Sequence, residues 1–359
     1  MELGRICGVK NARKVFWGRV KNGFCKKVVR STKGINVIFL LHSRKKHAIF
    51  FPSFRNSPER KSRKTMKKSN SLKLLAVEFI NALLPVEKLK IRLKVQDKLE
   101  SIDSNLSYSK LLSELGLSYI ASCDSSSKLV KGKKFEFATL GLYLAPANKS
   151  GRNVCTFAGS CKAPCLDESG RVLMEKRGGK QTIQVARLLK TWLHEFREDL
   201  FNKAICHEIK REAKLAKKKG IKFCVRLNCT SDIDFSDIIA SFPEVQFYDY
   251  TKDPNRQSMD NYHLTYSWDS FSKGRLPFYR QALERGQKIA FPVVKADLAR
   301  ILELPSTLEM DSSDLRFLDS DGHYGILAIK ETGNTQQGIR DGFMLDFDGF
   351  KKAVAWIEG

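Results

Sequence analysis

The sequence predicts an α/β fold, either a partial (β/α) barrel or an open, mostly parallel sheet, preceded by a small N-terminal helical module and a disordered basic arm. From residue 135 onward, short and continuously apolar runs alternate with amphipathic helical patterns. Continuous apolar strands are typical of a parallel sheet that is covered on both faces. Polar residues cluster where the apolar runs end, and this is the edge at which such sheets carry their functional groups.

Charge sets the N-terminal segment apart from the rest of the chain. The 359 residues have a net charge of +25, and residues 1–65 hold 18 Lys and Arg against 2 Asp and Glu, a net of +16. This segment shows no sustained helical or strand period. We interpret it as a basic arm that is either disordered or a spurious N-terminal extension, with Met66 as the true start. A nucleic-acid-binding arm and an organellar presequence share this composition.

The remaining chain divides into two predicted parts, a helical module with a linker at 66–134 and an α/β domain at 135–359. In the module, an apolar stripe starting at Leu72 ends at Pro85, and a second short helix covers 106–115. Residues 123–134 are rich in Ser and Lys and indicate a linker. The domain is predicted to have one long helix at 181–219, shorter helices at 235–242 and 278–285, and strands at 137–144, 222–227, 245–250, 263–267, 288–294, 315–318 and 324–329.

Composition excludes several classes of protein. The longest apolar runs, such as 36–41, are far shorter than the ~20 residues that a membrane-spanning helix needs. The sequence has no secretory signal pattern, and an odd count of nine cysteines in a long chain argues against a disulfide framework. We therefore expect a cytosolic protein without a membrane partner.

Three cysteines follow the first predicted strand of the α/β domain within one loop. Cys155, Cys161 and Cys165 form a C-x5-C-x3-C cluster, and a loop can bring such thiols to one inorganic centre. Thiolates are soft ligands that favour iron–sulfur clusters or Zn²⁺. Zn²⁺ in a structural site needs a fourth ligand, while the alternative is three ordinary free cysteines. The candidates for that fourth ligand are His194, His207, Cys224 and Cys229.

Polar residues at the ends of the next two strands are the predicted cofactor-binding residues. Asp232 is equally well explained as a helix cap, and Lys252 as a phosphate contact or a solvated side chain. Arg226 lies inside a strand, where an unpaired Arg is rarely buried, so we expect it to be paired or to bind a ligand. The full predicted set is Arg226, Asn228, Ser231, Asp232, Tyr248, Tyr250 and Lys252.

Several stretches resemble the gene-product-88 family of phage proteins. The matching pieces are LGLYLAPANKSGRNVC, the cysteine trio, VRLN-C-TSDI, VQFYDYTKDPNR and YHLTYS, which fall between residue 138 and about residue 343. The resemblance implies a phage or prophage origin, and hence the cytoplasm of a bacterial host cell. It brings no settled activity.

In architecture, the chain also resembles radical S-adenosylmethionine enzymes. These enzymes place three cysteines in the loop after the first strand of a six-stranded (β/α) barrel, and the resemblance implies a [4Fe–4S] cluster and S-adenosylmethionine as cofactors. Their usual spacing is C-x3-C-x2-C with an aromatic residue beside the last cysteine. Here the spacing is C-x5-C-x3-C, and Pro164 and Leu166 flank Cys165.

These observations give one functional expectation and its alternatives. We expect a phage-type protein that binds an iron–sulfur cluster through the three-cysteine loop, with radical-SAM-like chemistry on an unknown small-molecule or nucleotide substrate. The main alternative is a non-enzymatic, zinc-stabilised nucleic-acid-binding protein that uses the basic arm and the basic helix end at 210–219. A zinc-stapled protein of phage metabolism is a third reading. Whether the protein is an enzyme stays open at this stage.

Overall fold

The computed structural model describes residues 71–165, 170–329 and 335–359, together with the backbone of four strands nearer the N-terminus. These are β1 (Ala12–Arg19), β2 (Cys25–Ser31), β3 (Asn36–His42) and β4 (Lys45–Ala48), paired in that order as an antiparallel sheet. We found no strand period in this segment, because runs such as Asn36–His42 do not alternate. The remainder of the predicted disordered arm lies outside the described residues.

The chain divides into two compact units, residues 1–67 and 68–359, and the larger unit opens with three helices. They are α1 (Ser71–Asn81), α2 (Pro85–Glu100) and α3 (Tyr108–Leu115). The apolar stripe of α1 is buried, and Phe79 packs edge-on against Trp192 with 5.2 Å between ring centroids. The helical module therefore shares one hydrophobic core with the α/β domain.

The centre of the larger unit is an open sheet of eight strands in the order β11-β12-β10-β9-β8-β7-β6-β5. Every neighbouring pair is parallel except β5 and β6. The predicted mostly parallel α/β sheet is thus confirmed, and β6 to β10 lie side by side in chain order. The strands are β5 (Ala121–Cys123), β6 (Phe137–Leu142), β7 (Lys222–Arg226), β8 (Gln246–Thr251), β9 (Tyr262–Ser267), β10 (Ile289–Val294), β11 (Thr307–Glu309) and β12 (Tyr324–Ile329).

Helices between the strands cover the sheet and build two apolar clusters. One cluster joins α5 and α6 to β6–β9 around Trp192 and Phe201, and the other gathers around Trp268, Phe291 and Phe350. Burial of these side chains supplies the main driving force for folding of the unit. The helices are α4 (Gly170–Arg177), α5 (Thr182–Phe196), α6 (Glu198–Lys218), α7 (Ser236–Ala240), α8 (Leu276–Glu284), α9 (Leu298–Leu302), α10 (Thr335–Arg340) and α11 (Phe347–Glu358).

Three predicted elements differ from the structure. The long helix at 181–219 is two helices, because Arg197 leaves the helical region at φ −146° and ψ 64° and donates to the carbonyl oxygens of Leu99 and Ile102. The strand predicted at 315–318 is a 3₁₀ turn, Arg316–Leu318, in which Arg316 bonds back to the Ser313 carbonyl and pairs with Asp319. The predicted linker at 123–134 is mostly a 3₁₀ helix, Leu129–Phe135, with Leu129 buried. It follows the short strand β5, at whose start the N–H groups of Ile120 and Ala121 donate to the buried carboxylate of Glu208.

Candidate functional site

One face of the sheet carries a group of polar side chains between two small apolar clusters. Strand register places Tyr248 beside His263 and Tyr250 beside Thr265, so these four side chains share a face across β8 and β9. Arg226 of β7 stacks its guanidinium 4.8 Å from the ring centroid of Tyr250 on this face. We call this surface the inner face. The segment 311–319 contacts it through Asp314 and Arg316.

A buried ion pair lies at the centre of the inner face. Nη1 of Arg226 is 2.8 Å from Oδ2 of Asp314, and the hydroxyl of Tyr248 donates to the same oxygen at 3.0 Å. Burial and the Asp314 carboxylate raise the pKa of Tyr248, which therefore stays protonated and donating. The Arg226 side chain is paired, which is one of the two roles that its place in a strand led us to expect.

Around this ion pair, several buried donors have no hydrogen-bond partner among the described residues. They belong to neighbouring strands and to the turn that covers the inner face. Burial lowers the pKa of His263, one of these residues, to about 4, so its ring is neutral near pH 7. Leaving such a group unsatisfied costs about 1–3 kcal/mol, so each one calls for an explanation. The atoms are Arg226 Nε, Tyr250 Oη, His263 Nε2, Thr265 Oγ1, and Arg316 Nε and Nη1.

The turn after β7 uses Asn228 and Ser231 to hold itself together. Oδ1 of Asn228 accepts from the Ser231 hydroxyl at 2.8 Å and from the Ile233 N–H at 2.9 Å. Its Nδ2 donates to the carbonyl oxygen of Ile233 in this same turn and to the Asp249 carboxylate. A local structural role thus accounts for both side chains. Their predicted contact with a cofactor stays a prediction.

Asp232 ties the turn after β7 to the end of β8. Its carboxylate accepts from the Thr251 hydroxyl at 2.9 Å and from the Lys252 N–H at 2.8 Å, and it pairs with Arg256 at 2.9 Å. The helix-cap alternative for Asp232 is therefore wrong. Asp234 accepts instead from the N–H of Ser236, the first residue of α7.

Lys252 is buried at the C-terminal edge of the sheet. Its Nζ donates to the carbonyl oxygens of Trp268 and Ser267 and lies 3.9 Å from Oδ1 of Asp269. Burial lowers the pKa of this ammonium group, although Cys161 and Asp269 partly offset that effect. The alternative of a solvated Lys252 is wrong, because only 9% of the residue is exposed.

The three-cysteine loop crosses this same edge. The Asp232 N–H donates to the Val154 carbonyl at 2.8 Å, and Sγ of Cys155 lies 3.8 Å from the Thr230 carbonyl oxygen. Further along, Gly159 packs directly against the carboxylate of Asp269, with no room for a Cβ atom. The loop therefore follows the ends of β7, β8 and β9, where the predicted cofactor-binding residues also lie.

The three thiols are neighbours, but they do not form a site for a single metal ion. Burial, together with the charges of Asp232, Cys165 and Cys161, raises the pKa of Cys155 to about 12. Within residues 71–165, 170–329 and 335–359, no three His, Cys, Asp or Glu side chains are arranged to hold a metal ion. A Zn²⁺ site requires every ligand within ~2.3 Å of one centre, so the trio as placed does not fit Zn²⁺. A [4Fe–4S] cluster makes a different demand, since each thiolate binds its own iron.

The predicted set of site residues omits several that cover and edge the inner face, although the polar end of the strand at 263–267, with Thr265 and Asp269, was visible in the sequence. His263 and Thr265 alternate along β9, and that alternation was the signal available for His263. Asp314 and Arg316 lie in an irregular turn with no period to reveal them. The edge also holds Asp269 and Arg275, which lie 3.5 Å apart.

Together these features define an α/β protein with a three-cysteine loop at the C-terminal edge of a mostly parallel sheet. The family model of gene product 88 matches residues 120–345, well over half of the chain. The chain belongs to the gene product 88 family, as its resemblance led us to expect. Neither the curated proteins nor the solved structures contain a match. Among the described residues, no helix is long and apolar enough to cross a membrane.

Proposed function

We propose that this gene product 88 protein carries an iron–sulfur cluster on Cys155, Cys161 and Cys165 and binds a small ligand that accepts hydrogen bonds on the inner face. The observation that supports the proposal is the course of the loop, which brings Cys155 to the C-terminal edge of the sheet beside Thr230 and Asp232, and Cys161 within electrostatic range of the buried Lys252. A [4Fe–4S] cluster with one iron free of protein ligands supplies one-electron chemistry and a position for S-adenosylmethionine. As a phage-type protein, the chain would act in the cytoplasm of its bacterial host.

The inner face favours a ligand that accepts hydrogen bonds. Its unpaired N–H donors belong to two guanidinium groups, Arg226 and Arg316, and guanidinium matches carboxylate and phosphate geometry. Tyr250 and Thr265 add hydroxyl donors on adjacent strands. The ribose oxygens and adenine nitrogens of S-adenosylmethionine accept hydrogen bonds, and they stay available when its methionine end binds the free iron.

Anaerobic reconstitution with iron and sulfide tests the cluster. The expected result is thiolate-to-iron charge-transfer absorbance and about four irons per chain. Serine substitution at Cys155, Cys161 or Cys165 should abolish the absorbance. Cys206→Ser, which changes a half-buried cysteine on α6, should keep it. Stoichiometric Zn²⁺ with no iron, or equal iron in the loop variants and Cys206→Ser, would overturn the assignment.

Titration with S-adenosylmethionine tests the inner face separately. Tyr250→Phe removes a hydroxyl that has no described partner, so the free energy of unfolding should not fall. Ligand affinity should fall by about tenfold, which corresponds to one lost hydrogen bond. Unchanged affinity in this variant would exclude the inner face as the ligand site, whatever the cluster result.

A second candidate function, nucleic-acid binding, rests on the exposed end of α6. The helix ends in a basic surface on which each cation is exposed: Lys210, Arg211, Lys214, Lys217, Lys218 and Lys219. Such a surface attracts phosphates, and the affinity should fall steeply with salt. If the full chain binds DNA through it, Lys214→Glu with Lys218→Glu should weaken binding and reduce the salt slope. Binding that ignores this double change would exclude this surface.

A further inference from the structure

Helix α2 is apolar on two opposite sides. Ile91, Val95 and Leu99 turn towards the hydrophobic core. Val86 and Leu89 lie on the other side and are 52% and 55% exposed, respectively. A helix that is apolar all round is normally covered all round. The second side of α2 therefore indicates a surface that another molecule covers.

The exposed side extends into a longer apolar strip. Leu93 continues it by one helical turn at 53% exposure, and Leu83 and Leu84 precede the helix at 90% and 56%. Val86, Leu89 and Leu93 follow the spacing i, i+3, i+7, so they form one continuous row. We call Leu83, Leu84, Val86, Leu89 and Leu93 the α2 strip.

Positive charge borders the α2 strip on both sides. Lys90 and Lys94 are exposed one turn apart on one side. On the other side, Lys88 lines a groove of about 440 Å³ together with Arg92, whose guanidinium is paired with Glu195. Lys149 and Arg187 lie on the opposite wall of this groove, where Arg187 is buried with its guanidinium over the ring of Tyr143.

We propose that the α2 strip and this groove bind an acidic amphipathic helix of a partner protein. In helix pairs, apolar side chains form the seam and opposite charges on both sides of it select the partner. An apolar strip between two rows of cations thus requires a helix whose own apolar row is bordered by Glu or Asp. Glu87 is the one acidic residue between positions 83 and 94, so the surface offers little to a basic partner.

Charge and shape decide against other occupants. Residues 1–65 carry a net +16 and the whole chain +25, so neither this segment nor a second copy complements the cations. Five exposed aliphatic side chains suit neither the phosphates nor the bases of a nucleic acid. A lipid surface would meet the strip but leave the recessed groove beside it unfilled.

The groove also contacts the segment that leads to the cysteines. Pro146, Asn148, Lys149 and Gly151 line it, and Cys155 follows a few residues later. Gly151 has φ +86°, and a Cβ atom there would lie 2.8 Å from Cδ of Arg92. A helix bound in the groove would therefore touch the loop directly.

Fluorescence anisotropy with the full-length protein tests the proposal. The probe is a labelled three-heptad helical peptide with Leu at its seam positions and Glu on both sides of the seam. The matched peptide has Lys in place of every Glu. We expect saturable binding of the Glu peptide, weaker binding at high salt, and no binding of the Lys peptide.

Two substitutions localise the binding. Leu89→Glu should reduce affinity for the Glu peptide by at least about tenfold, since it places like charge in the seam. Leu215→Glu makes the same change at an exposed position on α6 and should leave affinity unchanged. Circular dichroism would confirm that both variants are folded.

Three results would overturn the proposal. One is the absence of saturable binding of the Glu peptide. Another is equal loss of affinity in Leu89→Glu and Leu215→Glu. The third is binding to phosphatidylglycerol vesicles that Leu89→Glu abolishes while the peptide stays unbound, because a lipid surface would then be the occupant.

Discussion

At the scale of single residues, two tyrosines on β8 have different roles on the inner face. Tyr248 and Tyr250 point the same way, yet the first hydroxyl donates to Asp314 and the second has no described partner. The first therefore belongs to the buried framework around Arg226. The second is available to a ligand, and this difference is why the two positions call for different experiments.

Asp314→Asn should destabilise the protein by about 3–5 kcal/mol, because it leaves the buried Arg226 guanidinium without its counter-charge. Chemical denaturation would measure the change. Asp297→Asn is the matched control: it removes a carboxylate that faces a largely exposed Arg300 at 3.7 Å, and should cost at most about 1 kcal/mol. Equal effects in the two variants would contradict a structural role for the buried pair.

The sequence predicted that Arg226 needs a partner, but it did not identify Asp314 as that partner. An Arg inside a strand needs a partner when it is buried, so the demand of Arg226 could be predicted. The partner lies 88 positions away in an irregular turn, and periodicity carries no information about such a contact. For the same reason, Asn228 could be placed at the correct edge of the sheet, while its hydrogen bonds within its own turn could not be foreseen.

At the scale of elements, the three-cysteine loop is fixed by its fit to the sheet edge. Gly159 contacts the Asp269 carboxylate, and Arg275 donates to the Phe157 carbonyl. Cys155 is held under this cover, where burial raises its pKa to about 12. A thiol with such a pKa is mostly protonated near pH 7, so binding of a metal there must release a proton.

Gly159→Ala should disturb this fit, because the added Cβ atom would collide with the Asp269 carboxylate. We expect a loss of about 1–3 kcal/mol in the free energy of unfolding. Alkylation of Cys155 by iodoacetamide, mapped by mass spectrometry, should become faster. Gly274→Ala adds the same methyl group in open space and should change neither quantity. Slow alkylation of Cys155 in both variants would show that Gly159 does not fix the loop.

Secondary-structure elements were predicted correctly where buried residues follow a helix or strand period. The predictions were wrong where a single long-range contact determines the structure. The apolar rows of α1 and of the parallel strands gave those elements correctly. The break between α5 and α6 depends on one side chain, Arg197, that finds carbonyl partners in another part of the chain. Strand β5 depends likewise on the Glu208 carboxylate, which no local pattern reveals.

At the scale of the whole molecule, buried histidines and buried carboxyl groups change the pH dependence of stability in opposite directions. Burial lowers the pKa of His194 and of His263 to about 4 and raises that of Asp249 and of Asp319 to about 6. As pH falls from about 6.5 to 4, the unfolded chain gains protons on its histidines first, which lowers stability. The two carboxyl groups take up protons in the folded state before they do so in the unfolded chain, which raises stability.

His194→Phe removes one destabilising contribution and keeps an aromatic ring beside Phe201 and Phe235. Between about pH 7 and about pH 5, the variant should therefore lose less of its free energy of unfolding than the wild-type protein does. Urea denaturation at the two pH values would measure both differences. The same loss in the two proteins would mean that His194 does not control this part of the pH dependence.

The overall α/β class followed from the alternation of strand and helix patterns, and the sheet confirms it. The order of the last strands could not be predicted. β12 lies between β10 and β11 in the sheet, and no local sequence pattern dictates that position. The strands of the N-terminal unit were missed as well, since their apolar runs are continuous and mixed with basic residues.

This strand order has a consequence for synthesis on the ribosome. From β6 to β10, each new strand docks on the one made just before it, so the growing sheet needs no rearrangement while translation proceeds. The last two strands do not follow this order of docking. β11 is made before β12, yet it is β12 that pairs with β10, so the edge of β10 stays unpaired until β12 has been made. An emerging chain thus exposes one unpaired edge during its last stage, which is the moment when a chaperone would have most to protect.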